Sequence, residues 1–333
     1  MAWARGYRRA AGTHRRPLRC LAMPSEPAPG ITDLLGGATS DGGSPLRLSF
    51  SRVDTYRQCP LKYRYRYVDL LAERPSPHLS FGSSIHAALE VFWDRKLPHP
   101  PPREALLAAL YERWDSSGFA ETDREEQVRF YRHAQEVLAA YHRRFADVTL
   151  TPVAVEQWFR LPLPDDVEVV GAIDLVEPTP AGGLGVVDWK TNRRAKTREE
   201  VAGSLQLAIY ALAVEHLWGQ PPEWVALDFV VPGVRVTVPR DRIDADAARR
   251  AIGEVAAAVR AGTFTPRPSP LCDWCDFRAE CPAFAGEGPD VAGTAVNELR
   301  RLRRRQARDA ERAATLERII AERLGEAALT DLD

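Results

Sequence analysis

Apolar and polar positions change their period several times along this chain, and each change marks an element. Ile85, Leu89 and Phe92 fall on one stripe at helical spacing, which predicts a helix over Phe81–Lys96. Further helical stretches are predicted near Arg103–Ser116 and Asp123–Phe145. The period then shortens to two. Pro152–Leu161, Val167–Glu177 and Leu184–Lys190 read as strands, and the Pro-Thr-Pro-Ala-Gly-Gly segment before the third reads as a turn. Helical spacing returns over Ser204–Leu217. Strands are predicted at Trp224–Val231 and Val234–Val238, and a helix at Asp244–Ala261. Nearer the start, Ser51 or Asp54 is placed to cap a helix through the segment to Leu71. This alternation predicts an α/β fold: a mixed sheet flanked by helices, with a helical insertion ahead of the first long strand.

The two ends lack this patterning. Six arginines and no acid occupy the first nineteen positions, and a Pro-, Gly- and Ser-rich stretch follows from Pro24 to Pro45. That composition predicts disorder over residues 1–45, with Met23 as an alternative start and a basic nucleic-acid-binding tail as the other reading. A long, charged, Arg-rich helix is predicted over Ala292–Leu324, within a C-terminal segment at 286–333.

With 333 residues, the chain has room for one large domain or two smaller ones. Its formal net charge of −1 excludes a global positive field, so nucleic-acid binding must come from local patches. No apolar run reaches the length of a membrane span, and no apolar segment follows the basic N-terminus as in a secretory signal. A cytoplasmic protein with no membrane partner is expected.

One position changes the picture. The chain holds 45 Lys plus Arg, yet only four are lysine: Lys62, Lys96, Lys190 and Lys196. Lys190 lies in the stretch Val-Val-Asp-Trp-Lys-Thr-Asn. Asp188 and Lys190 lie two apart and so on one side of a strand. On the preceding strand, Val170, Ala172, Asp174 and Val176 share a face, and a lone carboxylate there is expensive unless paired or metal-bound. Two carboxylates and an ammonium at a strand end suit Mg²⁺. Read alone, they equally describe a surface ion pair.

The order of motifs carries more. Ser49-Phe50-Ser51 opens a segment that ends Cys59-Pro60, followed by Lys62-Tyr63-Arg64-Tyr65. Then come Gly82-Ser83-Ser84-Ile85-His86, Gly171-Ala172-Ile173-Asp174, Val187-Asp188-Trp189-Lys190-Thr191 and Gln206-Leu207-Ala208-Ile209-Tyr210. Over about residues 46–285 this resembles the RecB-family branch of the PD-(D/E)XK nucleases. The resemblance implies a restriction-endonuclease-like core, with Asp174, Asp188 and His86 as ligands of Mg²⁺ or Mn²⁺ and Lys190 as the catalytic lysine. Gln206 and Tyr210 would contact the DNA backbone or that lysine, and Glu156 would add a carboxylate. Leu175 departs from the family, where Arg is frequent after the aspartate.

Cys272, Cys275 and Cys281 form C-x2-C-x5-C, with Cys59 far upstream. Four thiolates suit a [4Fe–4S] cluster or Zn²⁺, and spacing alone leaves both open. The one-plus-three arrangement resembles that of AddB-like helicase-nucleases, which implies a [4Fe–4S] cluster acting as a C-terminal staple. Cys20 would be free. Between Tyr56 and Tyr67, aromatics interleave with Arg57, Lys62 and Arg64, a pattern that suits single-stranded DNA. A helix with inward tyrosines and solvated arginines has the same pattern. Arg193, Arg194 and Lys196 could hold the DNA backbone beside Lys190, and Arg300–Arg305 could bind phosphate or solvate a helix.

The expected function is therefore a metal-dependent DNA exonuclease for single strands or ends, in repair or recombination. No G-x-x-x-x-G-K-[ST] loop is present, so a helicase or repair partner would supply any motor. The alternatives are a DNA-binding or assembly module that cuts little, and an accessory nuclease in CRISPR spacer acquisition. Oligomeric state is not legible.

Overall fold

The computed structural model describes residues 45–284 apart from positions 75, 98, 120, 121 and 123, and beyond them residues 299, 303, 306, 310 and 313–318. The readings for 1–44, Cys20 included, lie outside the described residues. So does most of the helix expected over 292–324, although its described positions are helical. No helix of the described chain is long and apolar enough to cross a membrane.

Two compact units form. The first comprises residues 45–53 and the described residues of 74–257; the second comprises 54–73 and the described residues from 258 onward.

The first unit is built on a six-stranded mixed sheet. Its strands are β1 (Leu46–Leu48), β2 (Ala154–Leu163), β3 (Val167–Pro178), β4 (Leu184–Lys190), β5 (Trp224–Phe229) and β6 (Val234–Pro239). The order is β1-β3-β4-β5-β6, with β2 paired to β3 outside that path. Pairs β1–β3 and β4–β5 are parallel; β2–β3, β3–β4 and β5–β6 are antiparallel. β1 is an addition to the sequence reading, too short to show a period.

Strand β3 organises the sheet. Along one edge it pairs with β2 from Val167 to Val176. Along the other it meets β1 at Val167–Val169 and β4 at Leu175–Pro178. Residues 170–174 pair with no strand on that edge among the described residues. The sheet is thus split where β3 and β4 part.

Helices flank this sheet, and the helical pieces formed within 54–73 belong to the second unit. α1 (Phe50–Gln58) begins after Ser49, whose hydroxyl accepts the Arg52 amide at 3.3 Å. The cap is therefore Ser49, not Ser51 or Asp54, because it is Ser49 that stands just before the first helical turn. A break at Cys59 separates α1 from α2 (Pro60–Tyr63), and a π-helical turn (Arg64–Val68) follows. α3 (Pro77–Phe92) starts a turn earlier than predicted, because Ser76 caps it and Pro77 fits the first turn. α4 (Arg103–Glu112) and α5 (Arg124–Arg144) form the helical insertion. They pack with α3 on the face that carries Leu175, Val187 and Trp189, in one core with Ile85, Leu89, Phe92, Leu110, Leu138 and Tyr141. Beyond β4, the short α6 (Arg198–Ala202) and α7 (Leu205–Trp218) make the crossover to β5, and α8 (Ala245–Arg260) follows β6. α7 packs on β2, β4 and β5. It is apolar almost all round, as befits a helix buried on most sides.

Beneath α5 lies a buried charge network that no periodicity announces. Arg235 of β6 holds both oxygens of Glu177 at 3.0 and 3.1 Å and reaches Asp228 at 3.1 Å. Arg144, the last residue of α5, meets the same Asp228 oxygen at 2.5 Å. Arg235 is 5% exposed, Glu177 1% and Asp228 0%. Burial pushes the Glu177 carboxyl upward, and Arg235 opposes that shift.

Candidate metal centre and cysteine site

The split in the sheet gathers carboxylates. The β2–β3 register places Glu156 opposite Asp174, since Val155 pairs with Leu175 and Gln157 with Ile173. The β3–β4 register, continued one residue past Leu175–Val187, brings Asp174 abreast of Asp188. Three acids on three neighbouring strands thus form a row. Glu156 itself leaves the ladder with φ +46°, a left-handed conformation that a non-glycine residue adopts at some expense. The distortion re-aims its carboxylate within an otherwise regular strand.

His86 of α3 enters the same place. Its Nε2 lies 3.0 Å from the Trp189 carbonyl. A carbonyl only accepts, so Nε2 carries the proton and Nδ1 presents a lone pair. That Nδ1 sits 3.7 Å from Asp174 Oδ2. Burial lowers the His86 pKa, against the pull of Asp188, and so favours the neutral ring. A metal-ligating histidine is commonly oriented in this way, with the far ring nitrogen donating to a backbone carbonyl. Asp174 Oδ2 also accepts the Trp189 amide at 2.7 Å, so the β4 backbone orients both side chains.

Ligand atoms of His86, Glu156 and Asp174 all lie within 4.8 Å of one another, and they are the one such group of His, Cys, Asp or Glu among the described residues. Burial, then the charges of Asp188 and Glu156, raise the Asp174 carboxyl well above its usual range. Burial, then Glu90 and Asp188, push Glu156 up to about 7. Acids so crowded call for a cation, and their hard oxygens with one imidazole fit a divalent ion.

Asp188 stands beside this group with its carboxylate turned to Lys190, Oδ2 to Nζ at 2.5 Å. Lys190 Nζ also donates to Gln206 Oε1 at 2.8 Å, and Gln206 Nε2 donates to the Tyr210 hydroxyl at 3.0 Å. Gln206 and Tyr210, four apart on α7, therefore act as one chain that ends on the lysine. Buried Tyr210 has its pKa raised by desolvation, then by Asp188 and Asp174. Two motif glycines have steric reasons. A Cβ on Gly171 would lie 2.9 Å from the Phe159 ring, which packs at 6.0 Å against Tyr210. A Cβ on Gly82 would press Thr191 Oγ1 at 3.3 Å, one residue past Lys190.

Sequence reasoning overlooked Glu90. It lies one turn beyond His86 on α3, pairs with Arg113 at 2.5 Å, and sends its field onto Glu156. The i, i+4 spacing from His86 was the available signal.

The second unit gathers the cysteines. Cys59, Cys272, Cys275 and Cys281 line one cavity of about 50 Å³. Cys59, Cys275 and Cys281 pack against a small core of Leu61, Tyr65, Leu71 and Phe277. The Arg267 amide points at Cys59 Sγ at 3.5 Å, and the Ser269 amide at Cys272 Sγ at 3.3 Å. Burial raises the Cys275 and Cys281 thiols.

The aromatic-basic segment resolves toward packing. Tyr56, Tyr63 and Tyr65 are buried at 7%, 0% and 2% exposure, so their ring faces are not free to stack on bases. Lys62 pairs with Glu73 at 3.6 Å, Arg64 with Asp69 at 3.2 Å and Arg66 with Glu73 at 2.9 Å. Arg57 is exposed, and its carbonyl accepts from Arg267. Arg193 is exposed in the loop after Lys190.

The chain is similar to known proteins. The chain is 27% identical over 272 residues to the gene 69 protein of Mycobacterium phage D29, covering 72% of this chain and 97% of that one. The gene 69 protein of Mycobacterium phage L5 is 26% identical over 291 residues, with the same coverage. One component of the ATP-dependent helicase/deoxyribonuclease of Desulforudis audaxviator (strain MP104C) is 32% identical over 206 residues, 50% of this chain but 17% of that protein. Residues 47–282, which contain every group of the candidate metal centre and all four clustered cysteines, match the PD-(D/E)XK nuclease superfamily, and the chain belongs to that superfamily of metal-dependent nucleases.

Proposed function

We propose that this chain is a RecB-type DNA exonuclease that hydrolyses phosphodiester bonds of single strands or DNA ends with Mg²⁺ or Mn²⁺. One observation carries the reading: His86, Glu156 and Asp174 converge within 4.8 Å beside the Asp188–Lys190 pair. Those three, with Asp188 adjacent, would hold the cation. A divalent ion there supplies Lewis acidity, polarising a phosphoryl oxygen and lowering the pKa of coordinated water.

The chain's own residues do the positioning. An ammonium has three N–H donors. In Lys190, Gln206 takes one at 2.8 Å while the Asp188 carboxylate holds the ammonium in an ion pair at 2.5 Å, so a further donor is aimed by both contacts. It is available to the charge that grows on the scissile phosphate. The guanidinium of an arginine, a broad planar fork, could not keep both contacts in that space. This accounts for a lysine in a chain whose cations are otherwise nearly all arginine. The test is degradation of labelled single-stranded DNA with Mn²⁺, wild type beside Asp188→Ala, with each end labelled in turn. Release of nucleotides by wild type alone supports the reading; two equally inactive proteins, both with their metals bound, sink it. The helicase-associated relative supports a motor protein as partner.

Metal binding should depend on pH through Glu156. Its folded pKa of about 7 exceeds the ordinary 4.5, so the native protein binds the extra proton between these values. In EDTA, this group's contribution to stability is present below pH 4.5 and is lost as pH rises to about 7. A divalent ion, which needs the carboxylate, should restore stability most above about pH 7. Thermal melts of wild type and Glu156→Gln, with EDTA and with Mn²⁺, read this directly: the pH-dependent difference between the proteins should vanish if Glu156 is not the group.

We further assign the four cysteines to a [4Fe–4S] cluster that ties residues 54–73 to the chain after 258. The four cysteines line one cavity, in the one-plus-three arrangement along the chain that resembles AddB-like helicase-nucleases. Amides directed at Cys59 and Cys272 sulfur suit the same assignment. Anaerobically purified protein should be brown, and Cys272→Ser should lose the colour and melt at lower temperature. Stoichiometric zinc and a colourless protein would replace iron by zinc in this assignment.

A further inference from the structure

The loop that follows the catalytic strand carries more charge than its surroundings require. Between Lys190 and Arg198 the sequence reads Lys-Thr-Asn-Arg-Arg-Ala-Lys-Thr-Arg, in a chain whose net charge is −1. Arg193, Arg194 and Lys196 are all exposed. None has a carboxylate within 4.0 Å among the described residues. Two other groups of cations among the described residues are paired: Lys62, Arg64 and Arg66 with Glu73 and Asp69, and Arg144 and Arg235 with Asp228 and Glu177. The next acids along the chain belong to α6. Of these, Glu200 is engaged at the Thr197 amide at 2.7 Å and feels Arg194 and Lys196 only through their field.

Both ends of the loop are fixed. At the start, the Lys190 carbonyl accepts the Val230 amide at 2.8 Å. At the end, Thr197 and Glu200 form a reciprocal capping box on α6, and Arg198 Nε donates to the Thr237 carbonyl of β6 at 3.1 Å. Three cations are thus held out from a short, anchored loop. A fully extended chain spans at most about 3.6 Å per residue, so Arg193 begins within roughly 11 Å of Lys190. Long side chains at that range reach phosphates next to the one being cut.

We propose that Arg193, Arg194 and Lys196 form a phosphate clamp for the strand under hydrolysis. The proposal rests on the nuclease reading and adds to it a sequence-independent hold on the neighbouring backbone. Such contacts fix register and orientation without reading bases. They also release counterions, which makes them visible as salt dependence.

The experiment measures binding of a fluorescein-labelled single strand by anisotropy across a salt series, using full-length Lys190→Ala protein with Ca²⁺ so that no cutting intervenes. Adding Arg193→Ala, Arg194→Ala and Lys196→Ala should flatten the slope of log K against log salt by about 2, from about 0.7 per lost phosphate contact on single strands. Affinity at low salt should fall at least tenfold. Arg193→Lys with Arg194→Lys should keep the slope, since charge is what is read. An unchanged slope overturns the clamp even where affinity falls, because that pattern marks a misplaced loop. Absence of binding by the Lys190→Ala protein, together with absence of cutting by wild type, overturns the DNA-nuclease reading and the clamp with it.

Discussion

Lys190→Ala protein is expected to bind a single strand normally and to cut it about 10²–10⁴-fold more slowly than wild type. The size follows from what the ammonium does. It is a preorganised donor, donating to Gln206 at 2.8 Å and held in an ion pair with Asp188 at 2.5 Å. Its loss removes stabilisation of charge that exists only in the transition state, so kcat should fall with little change in KM. Lys190→Arg keeps the charge and should not rescue, since the geometry accommodates a point donor. Gln206→Ala should show a milder loss in kcat of the same kind, because it frees the lysine without deleting it. Single-turnover degradation of end-labelled DNA in Mn²⁺ measures all three. Full activity in Lys190→Arg would show that only the charge matters and would remove the geometric argument.

The second large effect lies on the opposite side of the sheet. Arg235→Ala should destabilise the protein by about 3–5 kcal/mol, because it abandons two carboxylates in the interior. Glu177 and Asp228 are 1% and 0% exposed, and among the described residues Arg235 is the one that bonds both. At roughly 2–4 °C per kcal/mol for a domain of this size, the melting temperature should drop by roughly 6–20 °C. Arg144→Ala should cost less, since that side chain is 24% exposed and meets only Asp228 among these acids. Circular dichroism melts in EDTA isolate the effect from metal binding. A shift under about 2 °C for Arg235→Ala would mean that the acids simply protonate and the network carries no stability.

Much of this was legible before the structure. The long strands and most helices were announced by period, because β2, β3 and β4 alternate or run apolar according to the faces they bury. The residues of the candidate centre were proposed by a different route. Asp188 and Lys190 sit two apart, but nothing in a period says that Asp174 comes abreast of them. Strand register says so, and register is a property of pairs. Motif order stood in for it. Glu156 was visible as a carboxylate on the preceding strand, while its left-handed backbone was not. The Glu177–Asp228–Arg235–Arg144 network was missed altogether, since its members come from four separate elements and each looks like an ordinary surface charge in its own segment. The tyrosines of Tyr56–Tyr67 show the converse. Their interleaving with base allowed two readings, and Tyr56, Tyr63 and Tyr65 are buried, so those three rings pack inward.

The second unit also constrains the order in which the chain can be completed. Cys59 and Arg267, which meet there, are 208 residues apart in sequence. At about 5–20 residues per second, a ribosome finishes the first piece of this unit roughly 10–40 s before the second emerges. Throughout that interval the strands between them can pair, while Leu61, Tyr65 and Leu71 have no Phe277 to bury against. Cys59 waits as a lone thiol on nascent chain. Assembly of the cysteine site therefore comes after the sheet, and a chain halted at that stage would carry paired strands tethered to an open, oxidisable thiol.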